Sequence, residues 1–443
     1  MATAEIASAA PEPMFRVSNG RRYWTLGLFF ALYAFAVLDR NIINLALDDI
    51  KADMHFSDTE LGLVAGFGFS GIQLLVGIPA ARWADRSDRR LIITLAVALW
   101  SAMTVVCATA ASGVQFVLGR IGVGVGESTS PAYHSMLSDL FTKNQRGRAI
   151  AVFALGAPVA TLVGFPLMGL VQQAYGWRTA FLAAGLPGLL LALVVFFTVR
   201  DPRGRSAAGP AREQAPPLGE AFRTLFDRKS FMFVMFGFAL GGFGSGAFNV
   251  WGPTFLARVH HLNPAQIGAS LGMAAGLAGL VGGICGGVVV DLLSHRYGDK
   301  WKIVPIAITS TLKAPTIFLI VFAPWLEISL AGIALLAFFS TFEFAPIIAV
   351  IQSILPRRVR ALGSSVNGFV GSLIALGLGP LFVGMVNDYL TPTYGSGVII
   401  YSIAAAASIC LLGAASLWLA ARFVVEDILR NGERDPQGHE EHA

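Results

Sequence analysis

The sequence places an arginine and a carboxylate inside one predicted membrane span. Arg120 and Glu127 lie in the stretch RIGVGVGESTSPAYHSMLSD, residues 120–139, which is part of a long apolar run. Seven residues at ~100° each return a helix to nearly the same face, so the two charges share one side of the span. Each charge costs roughly 2.5–3.5 kcal/mol in hydrocarbon, even on insertion-based scales. A span that keeps both is expected to line a polar cavity or pathway.

A second pair of charges, Asp39 and Arg40, lies in the first apolar run. Adjacent helical residues diverge by ~100°, so each needs its own partner from another helix. At 1.5 Å per residue Asp39 lies ~12 Å deep, between Arg120 at ~8 Å and Glu127 at ~18 Å. The depths predict a cluster in which two carboxylates compete for the Arg120 guanidinium.

Such a cluster can exchange protons. The carboxylate left without the guanidinium is disfavoured as an anion in a low-dielectric cavity and can take up a proton. Asp39, Glu127 and Arg120 are therefore the predicted proton-coupling residues. The alternative is a static buried salt bridge that holds the two spans together.

The composition is that of a membrane protein. Of the 443 residues 55% are hydrophobic and only 13% are charged, against about 25% charged in soluble domains. Residues 1–20 have no hydrophobic core, so no cleavable signal peptide is expected. The cysteines Cys107, Cys285 and Cys410 fall in three separate apolar runs, a spacing that predicts neither disulfides nor a metal site. We expect no cofactor and no metal.

Twelve apolar runs are long enough to cross a membrane. In chain order, the predicted spans 1–12 are 22–47, 61–82, 91–111, 115–139, 148–172, 178–200, 230–257, 265–293, 302–323, 327–353, 361–388 and 396–422. With the N-terminus inside, 26 of the 32 Lys and Arg residues fall on the cytoplasmic side. The positive-inside rule therefore predicts that both termini are cytoplasmic.

The chain divides into two halves with similar short motifs at corresponding positions. Ala81–Asp85 and Gly287–Asp291 end spans 2 and 8, and Arg146–Ala149 and Arg358–Ala361 precede spans 5 and 11. The predicted parts are a cytoplasmic N-terminal tail (1–21), an N-terminal six-helix bundle (22–200), a cytoplasmic linker (201–229), a C-terminal six-helix bundle (230–422) and a cytoplasmic C-terminal tail (423–443). Two parallel six-helix repeats are typical of secondary transporters that rock about a central site.

The loop between spans 2 and 3 carries both acids and bases. A helix N-terminus attracts carboxylates, so Asp85 is predicted to dock at the start of span 11 near Arg360. Asp291 is predicted to dock at the start of span 5 near Arg148. With Arg86 and Arg89 of the same loop, these residues form a predicted cytoplasmic clip that closes when the cavity opens outward. The alternative is an ordinary positive-inside loop.

This loop, Ala81–Arg90 (ARWADRSDRR), resembles the signature loop of the major facilitator superfamily. It departs from that pattern at Ala81 and Asp88, where the family usually has glycine, whereas Gly287 and Asp291 match it in the second half. The predicted fold is thus an all-α polytopic membrane protein, with 12 transmembrane helices in two pseudo-symmetric six-helix bundles. The resemblance implies the major facilitator fold for these bundles.

A narrower resemblance rests on spans 1 and 4. Leu38-Asp39-Arg40, the run from Arg120 through Glu127-Ser-Thr, and Ser138-Asp139-Leu-Phe141 resemble the spinster branch of the superfamily. The resemblance implies alternating-access transport of amphipathic lipids such as lysophospholipids or sphingosine phosphate. It also implies proton coupling, as in bacterial members, which agrees with the predicted cluster.

Further polar groups lie within the predicted spans. The resemblance implies that spans 1, 4, 7 and 10 line the cavity; this makes Arg40, Arg120, Glu127, Tyr133, Asn249 and Glu343 the predicted substrate contacts. For the last three, an interhelical hydrogen bond is the alternative. His134 shares a helix face with Glu127 and is either a proton carrier or a packed histidine; Lys313 has no assignable partner.

The leading hypothesis is a proton-coupled transporter of an amphipathic lipid or related lipophilic anion. The alternatives are a transporter of small organic anions or drugs and a receptor or scaffold that does not transport. No nucleophile–base pair, metal spacing or phosphate loop indicates an enzyme. The expected partners are an amphipathic substrate, protons and the lipid bilayer, with no nucleic acid. A monomer in the cell (inner) membrane is expected.

Overall fold

In the computed structural model the described residues, 18–202 and 217–433, are almost entirely helical and include no strand. Residues 1–17 of the predicted N-terminal tail, most of the linker and the last ten residues lie outside these ranges. In the first half the helices are Asn19–Leu45, Leu47–Met54, Asp58–Gly62, Leu63–Gly68, Phe69–Arg86, Arg89–Thr109, Gly113–Glu127, Ser130–Leu140, Lys143–Ala154, Gly156–Val159, Ala160–Gly164 and Phe165–Thr198. In the second half they are Leu218–Phe226, Lys229–Gly241, Phe243–His260, Pro264–Tyr297, Asp299–Lys302, Val304–Phe322, Leu326–Ile354, Arg357–Val359, Arg360–Gly371, Ser372–Leu378, Gly379–Tyr394, Gly395–Gly397 and Val398–Glu433.

Within the described ranges ten helical stretches are long and apolar enough to span a membrane, and two local features relate them to the twelve predicted spans. The stretch Gln145–Thr198 is 54 residues long but contains Gly176 at φ +82°, a left-handed conformation that only glycine adopts freely. Gly176 therefore separates spans 5 and 6. Span 4 is divided at Ser128 and Thr129 into two shorter helices, Gly113–Glu127 and Ser130–Leu140.

Glycines allow the two halves to touch backbone to backbone. A Cβ at Gly268 of span 8 would lie 2.4 Å from the carbonyl oxygen of Phe165 in span 5. A Cβ at Gly66 of span 2 would lie 2.8 Å from the carbonyl oxygen of Leu376 in span 11. We call these contacts the 5–8 seam and the 2–11 seam. Three of the seam helices, spans 2, 5 and 11, contain π-helical segments.

The apolar cores show which side of the molecule is closed. We call the side of the loop between spans 1 and 2 outer, following the positive-inside prediction. One core includes residues of both halves, such as Phe116, Trp177 and Trp251. Toward the inner side each half has a separate core. The halves are therefore packed together at the outer side and part toward the inner side.

A cavity of about 230 Å³ lies between spans 2 and 11 on this parted side. Its lining residues include Ser70, Gln73, Ser365 and Ser372. This volume is below the ~300–1,000 Å³ of sites that hold a drug-sized ligand.

The last helix is longer than the sequence predicted. Span 12 was expected to end at 422, but the helix continues to Glu433. Asp427 in this extension accepts hydrogen bonds from the amide and the hydroxyl of Ser230, at 3.0 and 2.5 Å. These bonds to the start of span 7 hold the extension on the C-terminal bundle, so residues 423–433 are not a free tail.

Candidate transport site

Glu127 is the last residue of the first helix of span 4. The helix ends there because Pro131, near the start of the next helix, has no amide hydrogen to continue the ladder. The Ser128 and Thr129 hydroxyls turn back to carbonyl oxygens of the preceding turn, those of Gly124 at 2.8 Å and Gly126 at 3.2 Å. The break leaves the Glu127 carboxylate at a helix end inside the N-terminal bundle, where it is only 3% exposed.

The partner of Glu127 is Arg40 of span 1. The Arg40 Nε donates to Glu127 Oε2 at 2.9 Å, and its Nη2 contacts the same oxygen. The Arg40 side chain is one-third exposed, whereas Glu127 is buried. The guanidinium therefore joins a buried carboxylate to the open side of the bundle.

Asp39 faces a different helix. The Thr104 hydroxyl of span 3 lies 2.7 and 2.6 Å from the two carboxylate oxygens of Asp39. Asp39 is 1% exposed, and within the described part of the chain it forms no ion pair. It is a buried carboxyl group with a neutral hydrogen-bond donor.

Arg120 is buried without a carboxylate partner. Its Nη2 donates to the Arg40 carbonyl oxygen at 3.3 Å, while Nε and Nη1 have no hydrogen-bond partner among the described residues. The Arg120 guanidinium carbon lies 5.6 Å from the centre of the Phe69 ring. Two buried, unpaired N–H groups on a cation are an incomplete anion site.

The predicted arrangement of the cluster was therefore wrong in its pairing. Asp39, Arg40, Arg120 and Glu127 do come together, but Glu127 forms its ion pair with Arg40, and Asp39 accepts a hydrogen bond from Thr104. The ~100° between Asp39 and Arg40 explains the difference. Arg40 faces span 4, and so Asp39 is turned toward span 3.

A second, smaller cavity of about 20 Å³ adjoins Arg40 and Glu127. It has room for about one water molecule. Tyr133 lines it, and the Tyr133 hydroxyl has no partner among the described residues. His134 is exposed and packs edge-on against Phe153, 5.2 Å between ring centres. Tyr133 thus lies beside the charged pair, and His134 lies on a surface.

Asn249 and Glu343 lie elsewhere. The Asn249 carbonyl oxygen accepts from Asn44 at 3.2 Å, a contact between spans 1 and 7. Glu343 is 1% exposed and accepts from Lys313 at 2.5 Å and from Thr309 at 3.1 Å. This contact supplies the partner of Lys313 that the sequence did not. It also places Glu343 inside the C-terminal bundle, in a closed ion pair.

Among the described residues, the Asp291–Arg148 half of the predicted cytoplasmic clip is not formed. Asp291 and Arg148 are both exposed, and neither makes an ion pair with any described residue. Arg360 donates through Nε to the Leu355 carbonyl oxygen, within its own half. The side chains of Asp85 and Arg86 lie outside the described residues.

Arg89 has a role that the sequence did not suggest. Its guanidinium is buried and donates to Asp139 at 2.8 Å and to Asp201 at 2.9 and 2.5 Å. It joins the start of span 3 to the end of span 4 and to the segment after span 6. Arg89 therefore stabilises the N-terminal bundle instead of bridging the halves.

At the outer side, a polar network that we call the outer latch joins the two halves. Arg258 of span 7 donates to Asp48 at 2.6 Å and to Asp58 at 3.0 Å. The Asp388 carboxylate of span 11 accepts from the amides of Asp58 and Thr59, at 3.0 and 2.8 Å. This network was not predicted from the sequence, because its residues are far apart in the chain and fall in loops or at helix ends.

Comparison with known proteins identifies the family. A model described as Major Facilitator Superfamily matches residues 29–380. The chain therefore belongs to the major facilitator superfamily, and it is a multi-pass membrane transporter of that class.

Individual relatives narrow the resemblance. An MFS-type efflux pump of Mycolicibacterium smegmatis is 29% identical over 412 residues, covering 92% of this chain and 95% of that protein. The sphingosine-1-phosphate transporter SPNS2 of Danio rerio is 27% identical over 228 residues, 50% of this chain and 45% of the relative. The chain thus aligns with less than half of the length of that relative.

A solved structure covers nearly the whole fold. The crystal structure of a bacterial homolog to the human lysosomal transporter Spinster, in an inward-facing and unoccupied conformation, aligns with a TM-score of 0.80 at 26% identity. The alignment covers 93% of this chain and 99% of that one. These similarities confirm the resemblance to the spinster branch.

Proposed function

We propose that this protein is a proton-coupled secondary transporter of an amphipathic lipid or related lipophilic anion, working by alternating access. The observation that carries the proposal is the Arg40–Glu127 pair beside Arg120. A carboxylate that takes a proton releases its arginine, and the arginine is then free to meet an anionic head group. Asp39, one helix face away, is the second candidate proton carrier.

The substrate class follows from charge and space. Arg120 has unpaired buried donors, which suit a phosphate or carboxylate head group. The cavity between spans 2 and 11 is small and is lined by both polar residues, such as Ser70 and Gln73, and apolar residues, such as Phe369 and Leu373. It lies on a side where the bundles part, so an apolar tail can extend between the helices. The transport of sphingosine-1-phosphate by a relative, as its name states, supports a lipid substrate.

Proton coupling is tested with purified protein in proteoliposomes. The probe is a fluorescent lysophospholipid, with its uptake followed under an imposed pH gradient. We expect E127Q and D39N each to lose gradient-driven uptake. The exposed Glu327 provides the matched control, and E327Q should transport like the wild type. Uptake that still follows the gradient in both E127Q and D39N would overturn proton coupling through these residues.

A small organic anion or drug is the second candidate substrate. The relative named as an efflux pump aligns over nearly the full length of both chains, which favours it. Native mass spectrometry of the purified protein distinguishes the two candidates, because a co-purified lipid has a characteristic mass. Competition between lysophospholipid and a small anionic dye for binding provides the second measurement.

A receptor or scaffold without transport makes a different prediction. Spin labels placed on the two bundles would then show no change in distance between pH 5 and pH 8. We expect the distances to change, because a proton on Glu127 alters the pairing of Arg40.

A further inference from the structure

Phe69 contacts both arginines of the transport site. Its ring centre lies 5.3 Å from the Arg40 guanidinium carbon and 5.6 Å from that of Arg120. The side chain is buried, with 6% of its surface exposed. The face of an aromatic ring attracts cations, and more strongly where water is excluded. One ring is therefore shared by two guanidiniums.

The two arginines depend on this ring to different degrees. Arg40 also has the Glu127 carboxylate, whereas Arg120 has two N–H groups without a described partner. When Glu127 takes a proton, Arg40 loses the carboxylate it is hydrogen-bonded to, and its attraction to the Phe69 ring and to the nearby Asp39 and Tyr33 becomes more important. When an anion binds Arg120, the cation–π contact with Phe69 contributes less to the stabilisation of the Arg120 charge. The balance of forces on Phe69 thus changes with each step of a transport cycle.

Phe69 also lies where span 2 meets span 11. It is the first residue after the π-helical segment Leu63–Gly68. A Cβ at Gly377 of span 11 would lie 3.4 Å from the Phe67 Cα and 3.7 Å from the Ser70 Cβ. The residues on either side of Phe69 therefore rest against the opposite half.

The seam at this level has π-helical backbone on both sides. Leu63–Gly68 faces Ser372–Leu378, and such segments are frequent at functional sites. The extra residue in a π-helical turn can shift along a helix by exchanging one hydrogen bond for another. A small displacement of the Phe69 ring can thus be accommodated by span 2 and passed to span 11.

We propose that Phe69 is the positioning residue that couples the charge state of Arg40 and Arg120 to the movement of span 2 against span 11. The inference rests on the proposed proton-coupled transport. It adds a specific element to it, because an uncharged residue carries the signal from the charged site to the seam between the halves.

The test measures the seam directly in proteoliposomes. Spin labels at Trp83 and Ala361, both exposed near the cytoplasmic ends of spans 2 and 11, report their separation at pH 5 and pH 8. The background has Cys107, Cys285 and Cys410 replaced by alanine. We expect F69L to change the equilibrium constant between the two separations roughly 3- to 30-fold, the range for loss of a buried cation–π contact. F69Y keeps the ring and should restore the wild-type pH profile.

The matched control is Phe181, a buried ring of the same half that packs on Phe116 and Trp177. F181L removes an equal amount of buried aromatic surface, so it measures the effect of packing alone. The proposal predicts a shifted pH profile for F69L and a wild-type profile for F181L.

Two results would overturn the inference. If the wild type responds to pH and F69L follows the same profile as F181L, Phe69 does not couple the charges to the seam, while proton-coupled transport stands. If the wild type itself shows no pH-dependent separation, the proposed function fails and the role of Phe69 fails with it.

Discussion

Arg40 and Arg120 lie in one site, but they differ in whether they have a charged partner among the described residues. Arg40 neutralises a buried carboxylate, and its removal leaves Glu127 without its guanidinium. Arg120 carries unpaired donors, so its removal takes away a buried charge that is poorly compensated. The residue types were evident from the sequence. The pairing was not, because a helical rotation of ~100° decides which of two adjacent side chains faces span 4.

This difference predicts opposite effects on stability. R40M is expected to destabilise the protein by about 1–3 kcal/mol, because a buried carboxylate loses its charged partner. R120M is expected to leave the stability unchanged or to raise it, and to abolish binding of the anionic probe. Thermal unfolding in detergent and binding of the fluorescent lysophospholipid measure the two effects. A loss of stability in R120M as large as that in R40M would contradict the assignment.

Lys313 and Glu343 form another buried ion pair that was not predicted from the sequence. With one partner removed, K313M or E343L is expected to cost about 3–5 kcal/mol, since an uncompensated charge stays buried. The double variant K313M/E343L should be more stable than either single variant and should keep transport, because the pair is closed off from the cavities. Chemical unfolding of the four proteins gives the coupling. Additive single effects would show that the two residues do not act as a pair.

The membrane-spanning helices of this fold were predictable from the sequence where the length of an apolar run determines where a helix begins and ends. The ends of most spans agree with the sequence prediction to within a few residues, because the thickness of the bilayer sets the length of a crossing helix. The break between spans 5 and 6 was also predicted, and Gly176 falls within it. The interruption of span 4 at Ser128 and Thr129 was not predicted, because it depends on single residues whose local conformation a hydropathy pattern does not register.

Three glycines of span 8 lie in three different environments, and a glycine-to-alanine substitution at each of them compares these environments. Gly268 faces span 5 of the other half, and Gly286 faces Phe342 of span 10, whose carbonyl oxygen a Cβ would approach to 2.1 Å. Gly283 has open space around it. G268A should weaken the 5–8 seam and favour the outward-open conformation, whereas G286A should destabilise the C-terminal bundle. G283A should change neither.

Two measurements separate these outcomes. Spin-label distances across the outer side report the conformation, and thermal unfolding reports the stability of the bundle. If G268A and G286A gave the same profile in both assays, the seam would have no separate role. A large effect of G283A would mean that other atoms occupy the space around Gly283 when the protein is in the membrane.

At the scale of the whole molecule, the contacts between the two halves that the described residues show are concentrated at the outer side. The shared core and the outer latch close the outer side, and the clip residues Arg148 and Asp291 stand apart on the inner side. The clip is expected to form in the opposite conformation, so the inner contacts stay a prediction. The sequence predicted two repeats and a rocking motion. It does not specify whether the contacts at the outer side or those at the inner side are closed, because the same chain forms one set or the other as the transporter changes conformation.

The outer latch therefore sets the balance between the two conformations. Arg258 joins span 7 to Asp48 and Asp58 of the first half, and Asp388 caps the start of span 2 from the second half. Both contacts must break when the outer side opens. We expect R258Q and D388N each to favour the outward-open conformation by about 1–3 kcal/mol, the typical contribution of hydrogen bonds to charged groups. Spin labels at the exposed outer residues Val114 and Trp325 measure the change as a longer distance.

Arg178 is the matched control for this last prediction. It lies on the same face and contacts Asp53 and the Ala110 carbonyl oxygen, both within its own half. The hydrogen bond from Arg178 holds the pKa of Asp53 below its ordinary value. R178Q removes a surface ion pair without touching the contact between the halves, so the distance between Val114 and Trp325 should not change. If R178Q lengthened that distance as much as R258Q, loss of surface charge alone would explain the effect, and Arg258 would not be holding the outer side closed.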